Sequence, residues 1–247
     1  MTDTNKVLQL KPASKQQSGV YLIPCALYEG VNETIPPYVL DAIKQCSIFF
    51  VENERTTRRF FKSIWREMMI DNYGWHTIHK AEKEVMRHME AAIREGKNLG
   101  IVSEAGCPGV ADPGQILIKR AQEMGAIVKP LVGPSSILLA LMASGMNGQQ
   151  FKFNGYLPID SAARKKILLQ MEEDAITNNC TQLFIETPFR NESLLKDIMA
   201  ACKPFTRLCL AVDITAPTEM IVTKKIQEWK DATPALHKKP VIFLLGV

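Results

Sequence analysis

From Gly19 onward, short runs of β-branched and aromatic residues alternate with helix-patterned segments: VYLIP, IPPYVLDAIKQC, SIFFVE, ERTTRRFFKSIWREM, AEKEVMRHMEAAIREG, LGIVSE, QILIKRAQEMG and IVKPLV. No other feature restricts the fold so strongly, because strands separated by helices predict a mostly parallel sheet covered on both faces. The boundaries agree. Pro36 and Pro37 suit a first helical turn, Gly96 and Gly125 follow helical runs, and Ser135 can cap SILLALMAS with Gly145 closing it. Beyond a loop-rich GQQFKFNGYLPID comes a second set: helix SAARKKILLQMEED, strand TQLFIE, helix NESLLKDIMAAC, strands RLCLAVDI and EMIVT, helix KIQEWKDA and strand PVIFLLG. The expected organisation is a mobile tail over residues 1–18 and two α/β domains with mainly parallel sheets, over 19–134 and 135–247. One long doubly wound sheet is the alternative topology.

At 247 residues, with 46% hydrophobic and 23% charged, the chain can bury a substantial core. A net charge of +4 suits an anionic partner but lacks the strong basic excess of a dedicated nucleic-acid binder. The six cysteines, Cys25, Cys46, Cys107, Cys180, Cys202 and Cys209, form no CxxC pair, and no signal peptide is recognisable. Reduced thiols and a cytoplasmic setting are therefore expected. Apolar runs such as ILLALMA fall short of the roughly 20 residues that cross a bilayer, so no membrane segment is expected. His76 and His79 form HxxH without further ligands at metal spacing, so no metal is expected either.

The chemistry concentrates in GIVSEAGCPGVADPG, Gly100–Gly114, which holds four glycines and two prolines in fifteen residues after an apolar run. Glycine there permits backbone angles or close approaches closed to other residues, and proline stiffens the path. Strand-to-helix connections usually need only about 2 to 6 residues, which favours a ligand-binding loop at the carboxyl end of a strand. The ligand is not an ordinary nucleotide. VYLIP runs into CALYEG rather than GxGxxG, and GxxxxGK[ST] is absent.

The loop resembles the VSDAGTPLISDPG segment of the tetrapyrrole methylase superfamily, in its small-subunit rRNA methyltransferase I branch. VKPLVGPSSILLALMASGM, FKFNGYLPIDSAARKK and FIETPFR are similar to three further family segments in the same order, and YLIP and VENERT to two earlier ones. The resemblance implies two α/β domains with S-adenosylmethionine in the cleft between them, and homodimers. Carried over by matching position, the cofactor residues are Pro24, Ser103, Glu104, Ala105, Gly106, Val110 and Ala111, then Ser135, Ser136, Tyr156, Leu157, Glu186 and Thr187. The implied reaction is 2′-O-methylation of a ribose in small-subunit rRNA, which makes rRNA or the ribosomal subunit the expected partner. Methylation of a tetrapyrrole or other small molecule, or cofactor binding without methyl transfer, are the alternatives.

A ribose hydroxyl acceptor needs its proton removed by a positioned base. Glu104 is the first candidate, standing where the family has Asp, though a structural carboxylate is equally compatible. Glu52 and Arg55 match the acid and arginine of the family's AEDTR. Arg55 can bind an acceptor phosphate through its forked donors or organise its loop through a carboxylate. Other positions depart from the pattern: Cys107 replaces threonine and reads as a packing residue, Phe189 replaces histidine, and Val212 and Ala216 replace arginine and lysine. Arg58, Arg59 and Lys62, interleaved with Phe60, Phe61 and Trp65, suit either RNA contacts or an amphipathic helix with its aromatics in the core. Arg164, Lys165 and Lys166 read as a solvated helix face.

Overall fold

The structure, a computed structural model, describes residues 18–79, 82–229 and 233–247. The expected tail lies outside them apart from Ser18, as do parts of the AEKEVMRHM and KIQEWKDA segments. The chain divides into two compact units. One holds Pro37–Glu104, Pro108–Leu131 and the strand ending at Ile23; the other holds Pro24–Pro36, Ala105–Cys107 and Val132–Val247. The glycine-rich loop is thus shared, with Ala105–Cys107 belonging to the second unit.

In the first unit the elements run β1 (Gly19–Ile23), α1 (Tyr38–Gln45), β2 (Ile48–Val51), α2 (Glu54–Ile64), β3 (Gly74–Thr77), α3 (Glu82–Arg94), β4 (Leu99–Val102), α4 (Gln115–Glu123) and β5 (Ile127–Pro130). The sheet order is β3-β2-β4-β1-β5, and every pairing is parallel. Val20, Phe50, Leu99 and Ile101 from the strands pack with Val85, Met89 and Ala92 of α3 and Leu117 and Ala121 of α4. Phe49 packs on Phe61 of α2 and Trp75 of β3, with ring centroids 5.0 and 5.1 Å away. The α2 segment therefore buries Phe61 as an amphipathic helix should, while Arg58 lies 5.1 Å over the Trp75 ring and pairs with Glu54 at 2.5 Å. Its polar face begins at Asn53, whose Oδ1 accepts from the amides of Arg55 and Thr56 as an N-cap.

The second unit contains α5 (Ser136–Ser144), β6 (Phe151–Tyr156), α6 (Ser161–Asn178), β7 (Thr181–Ile185), α7 (Asn191–Ala201), β8 (Arg207–Val212), β9 (Met220–Lys225), α8 (Ile226–Trp229) and β10 (Val241–Gly246). Its sheet, β6-β7-β10-β8-β9, departs from the expected parallel pattern: β6 and β7 are parallel, but β10 runs antiparallel to both neighbours and β9 antiparallel to β8. The cause is local. Only a seven-residue turn separates β8 from β9, too short for the crossover that a parallel pair needs. Both faces are covered. Phe184, Leu208, Leu210, Phe243 and Leu245 pack with residues of α6, α7 and α8, while the alternate residues Leu183, Cys209, Ala211, Ile242 and Leu244 pack with Ala140 and Leu141 of α5. Ser135 accepts from the Leu138 amide at the start of α5, and Gly145 closes it in the left-handed conformation. The loop-rich reading of residues 148–160 gives way in part, because Phe151–Tyr156 is an edge strand.

Candidate functional site

In the first unit the carboxyl ends of β2, β3 and β4 converge. Glu52 Oε2 accepts from the Glu104 amide at 2.9 Å, and Asn53 Nδ2 donates to Glu104 Oε1 at 3.4 Å. His79 Nε2 lies 4.0 Å from Glu52 Oε1. Glu52, Asn53, Glu54, Arg55, Arg58, Thr77 and His79 line an open groove of about 660 Å³. The three residues singled out in the sequence for acid, base and acceptor roles, Glu52, Glu104 and Arg55, are therefore neighbours. Glu52 is occupied as an acceptor for backbone, whereas the Glu104 side chain is exposed. Thr77 and His79 escaped the acceptor reading because β3 was not recognised as a strand.

The glycine-rich loop is shaped by its own backbone. Cys25 and Gly106 exchange paired hydrogen bonds, N to O at 2.9 Å and back at 3.0 Å. Gly106 sits at φ +74°, and a Cβ there would press on Leu27 Cδ2 at 3.3 Å and the Pro134 carbonyl at 3.4 Å. Its glycine is required by conformation and packing within the protein, not only by room for a ligand. Gly133 likewise leaves space for the ring of the buried Pro24, which a Cβ would overlap. Downstream, Asp112 Oδ1 accepts from the amides of Gly109 and Gly114, both at 2.8 Å, and Ala111 is held at φ +59°. Burial raises the Asp112 pKa, the charge of Glu52 adds to that, and the two amide bonds oppose it. Asp112 organises the ADPG turn, a role its place two residues before glycine could have signalled. Ser103 is buried, while Glu104, Ala105, Val110 and Ala111 are exposed along the loop. The Cys107 thiol donates weakly to the Gly133 and Pro134 carbonyls at 3.6 and 3.4 Å, and burial pushes its pKa up, as suits packing rather than nucleophilic attack.

The second unit carries a cavity of about 250 Å³ at the carboxyl ends of β6, β7 and β8 and the amino end of β10. Four sequence candidates, Ala105, Ser136, Tyr156 and Glu186, line it. Its apolar wall of Leu27, Ile185, Ala211, Ile214, Val241 and Ile242 escaped sequence reading, since strand apolarity marks core and pocket alike. Glu186 stands at its edge with a fully buried side chain. Its Oε1 accepts from the Thr187 amide at 2.7 Å and from Arg190 Nε and Nη2 at 3.0 and 2.6 Å, while its Oε2 is buried without a partner. Such an oxygen carries a desolvation cost of about 1–3 kcal/mol until a donor reaches it, more when the group is charged. Leu157 instead belongs to the core beneath, and Thr187 accepts from Arg190 Nε at 3.1 Å. Val212 and Ala216 are both buried.

The reading of Arg164 as part of a solvated face is corrected. Arg164 is buried; its Nε donates to Asp197 Oδ2 at 2.8 Å, Nη2 also bonds that oxygen and reaches Ser193 Oγ at 3.1 Å, and Nη1 donates to the carbonyls of Pro158 and Ile159. It fixes the turn after Tyr156 and Leu157. No cluster of metal-ligating side chains occurs among the described residues, and no helix among them is long and apolar enough to cross a membrane.

The sequence profile of the Tetrapyrrole (Corrin/Porphyrin) Methylases matches residues 30–230. The chain is 30% identical over 219 residues to the "Ribosomal RNA small subunit methyltransferase I" of Micromonospora olivasterospora, covering 88% of this chain and 66% of that protein. To the protein of the same name from Neisseria meningitidis it is 29% identical over 226 residues, covering 92% and 75%. The chain thus spans 66 to 75% of these relatives' length. Among solved structures, the methyltransferase CobJ superposes with a TM-score of 0.60 at 20% identity over 93% of both chains. The uroporphyrin-III C-methyltransferase of Thermus thermophilus, complexed with S-adenosyl homocysteine, gives 0.56 at 16% identity over 93% of this chain and 97% of that one. These structures share the fold, and with the profile matched over residues 30–230 of 247 the chain belongs to the tetrapyrrole (corrin/porphyrin) methylase family.

Proposed function

We propose that this protein is an S-adenosylmethionine-dependent methyltransferase that modifies a ribose 2′-hydroxyl of small-subunit rRNA. The observation that carries the cofactor reading is Glu186: an apolar cavity edged by one buried carboxylate oxygen without a partner is chemically suited to part of a ligand that combines apolar surface with hydrogen-bond donors. Bound S-adenosylmethionine would supply a methyl group on a sulfonium, with a neutral thioether as leaving group. Ser136, Tyr156 and Glu186 hold the cofactor from the second unit, with Arg190 fixing the Glu186 carboxylate through Oε1. The Gly106 turn, locked to Cys25 in the same unit, presents backbone groups to it.

The relatives' names support the acceptor. In the first-unit groove, exposed Arg55 takes an RNA phosphate. The Glu104 carboxylate accepts the hydroxyl proton, while Glu52 positions it by holding its amide. We place the protein in the cytoplasm, where its substrate is made. We also infer a homodimer, for which Leu138 and Met142 on α5, 50% and 78% exposed, offer an apolar surface.

Two measurements test the reading. Calorimetry with S-adenosylmethionine should show saturable binding, and its absence at millimolar ligand removes the cofactor assignment. Small ribosomal subunits lacking this modification, incubated with enzyme and cofactor carrying a labelled methyl group, should take up label in their rRNA. Label in a tetrapyrrole and none in rRNA would move the protein to the alternative acceptor class.

A further inference from the structure

Beside the second-unit cavity stands an aromatic and cationic rim. The loop after β7 and the loop before β10 supply it: Pro188 and Pro240 line the cavity, and Phe189 and His237 lie just outside it in sequence. The Phe189 ring is 70% exposed and meets the His237 ring edge-on, centroids 6.1 Å apart. Exposed phenylalanine is common on mobile loops, but these loops are laced together. The Lys238 amide donates to the Pro188 carbonyl at 3.1 Å, Asn191 Nδ2 donates to the Lys239 carbonyl at 2.7 Å, and the Arg190 amide donates to the Thr187 carbonyl at 2.9 Å. Leu236, fully buried, anchors one loop in the core, and Lys238 is held at φ +62°. The frame thus fixes the backbone from which an apolar ring stands out in water. Around it are the exposed Lys238 and, paired at 3.3 Å with Asp213, the partly exposed Lys239.

We infer that the Phe189 ring, met edge-on by His237, is a stacking platform for an unpaired base of the RNA acceptor, with Lys238 beside it for the adjoining phosphate. A flat exposed ring with nearby cations is the combination by which proteins grip single-stranded nucleic acid, since every base has a face to stack and every nucleotide a phosphate. A paired base has both faces covered, so the platform selects nucleotides outside helices. The inference rests on the rRNA reading proposed above and adds the conformation of the substrate.

The test measures labelled methyl transfer to small ribosomal subunits lacking the modification, together with calorimetric affinity for S-adenosylmethionine. Phe189→Ala should lower kcat/KM for the subunit about tenfold, mainly through KM. Phe189→Trp should return it to within about threefold of the original, and cofactor affinity should stay within about twofold in both. An unchanged kcat/KM in Phe189→Ala, with the unaltered enzyme active, overturns the platform and leaves the rRNA assignment standing. A loss that tryptophan fails to restore also overturns it. No transfer to rRNA by the unaltered enzyme overturns the rRNA assignment itself, and the platform with it.

Discussion

Two buried carboxylates of the second unit, Asp197 and Glu186, are each paired with an arginine, Arg164 and Arg190, and differ in what they leave over. Around Asp197 both oxygens are engaged: Oδ2 by Arg164, and Oδ1 by Lys165 at 3.5 Å and by Ser161, whose hydroxyl reaches Oδ1 at 2.9 Å and Oδ2 at 3.0 Å. Around Glu186 all the donors converge on Oε1, and Oε2 has none. A saturated pair fixes a turn. An unsaturated one beside a cavity retains an unmet demand for a donor, and that demand is what a ligand can satisfy.

The largest expected effect breaks the saturated pair. Arg164→Met leaves Asp197 buried with its main partner gone and should cost about 3–5 kcal/mol of unfolding free energy in urea titrations. Next comes the unsaturated pair. Glu186→Gln should weaken S-adenosylmethionine binding by about ten- to a hundredfold in calorimetry, the loss of one or two charge-assisted bonds, while shifting the denaturation midpoint far less than Arg164→Met. Equal losses of stability in the two variants would erase the contrast.

The third expectation uses pH. Burial alone would raise the Asp197 pKa, but hydrogen bonds from Arg164 and Ser161 and the charges of Arg164 and Lys165 outweigh it and hold it below the usual carboxylate value. A depressed folded pKa means the pair's contribution is complete above the unfolded value, about 4, and is lost as pH falls through the folded one. Urea midpoints measured between pH 6 and 3 should therefore fall less steeply in Asp197→Asn than in the parent. The smallest effect lies in the first unit, where Asn53→Ala removes the α2 cap and should cost about 1 kcal/mol.

The alternation of strands and helices made the first sheet legible, and capping chemistry placed α5 between Ser135 and Gly145. β3 and β6 were harder to read because both are short edge strands: GWHT does not alternate in polarity, and the alternation of Phe151–Asn154 breaks at Gly155, held at φ +65°. The antiparallel β8–β9 pair did leave a trace: two strand runs with no helix between them call for a hairpin. Arg164 was misread because its polar neighbours suggested solvent, while its partner Asp197 lies 33 residues downstream and meets it only on folding. In the site, glycine and proline density located the loop, but the unpartnered oxygen of Glu186 is a property of three-dimensional packing that no spacing encodes.

Strand order also bears on biosynthesis. All five strands of the first sheet exist once the chain has emerged to Pro130, so that unit can assemble early during translation. The second sheet is built around β10, at its centre and last in sequence, between β7 and β8. Until residues 241–246 leave the ribosome, the partners of β7 and β8 are missing and the Glu186 cavity lacks Val241 and Ile242. The nascent protein would thus carry a finished first unit well before it could close the cavity, and loss of its final strand would remove that cavity while leaving the first sheet's strands intact.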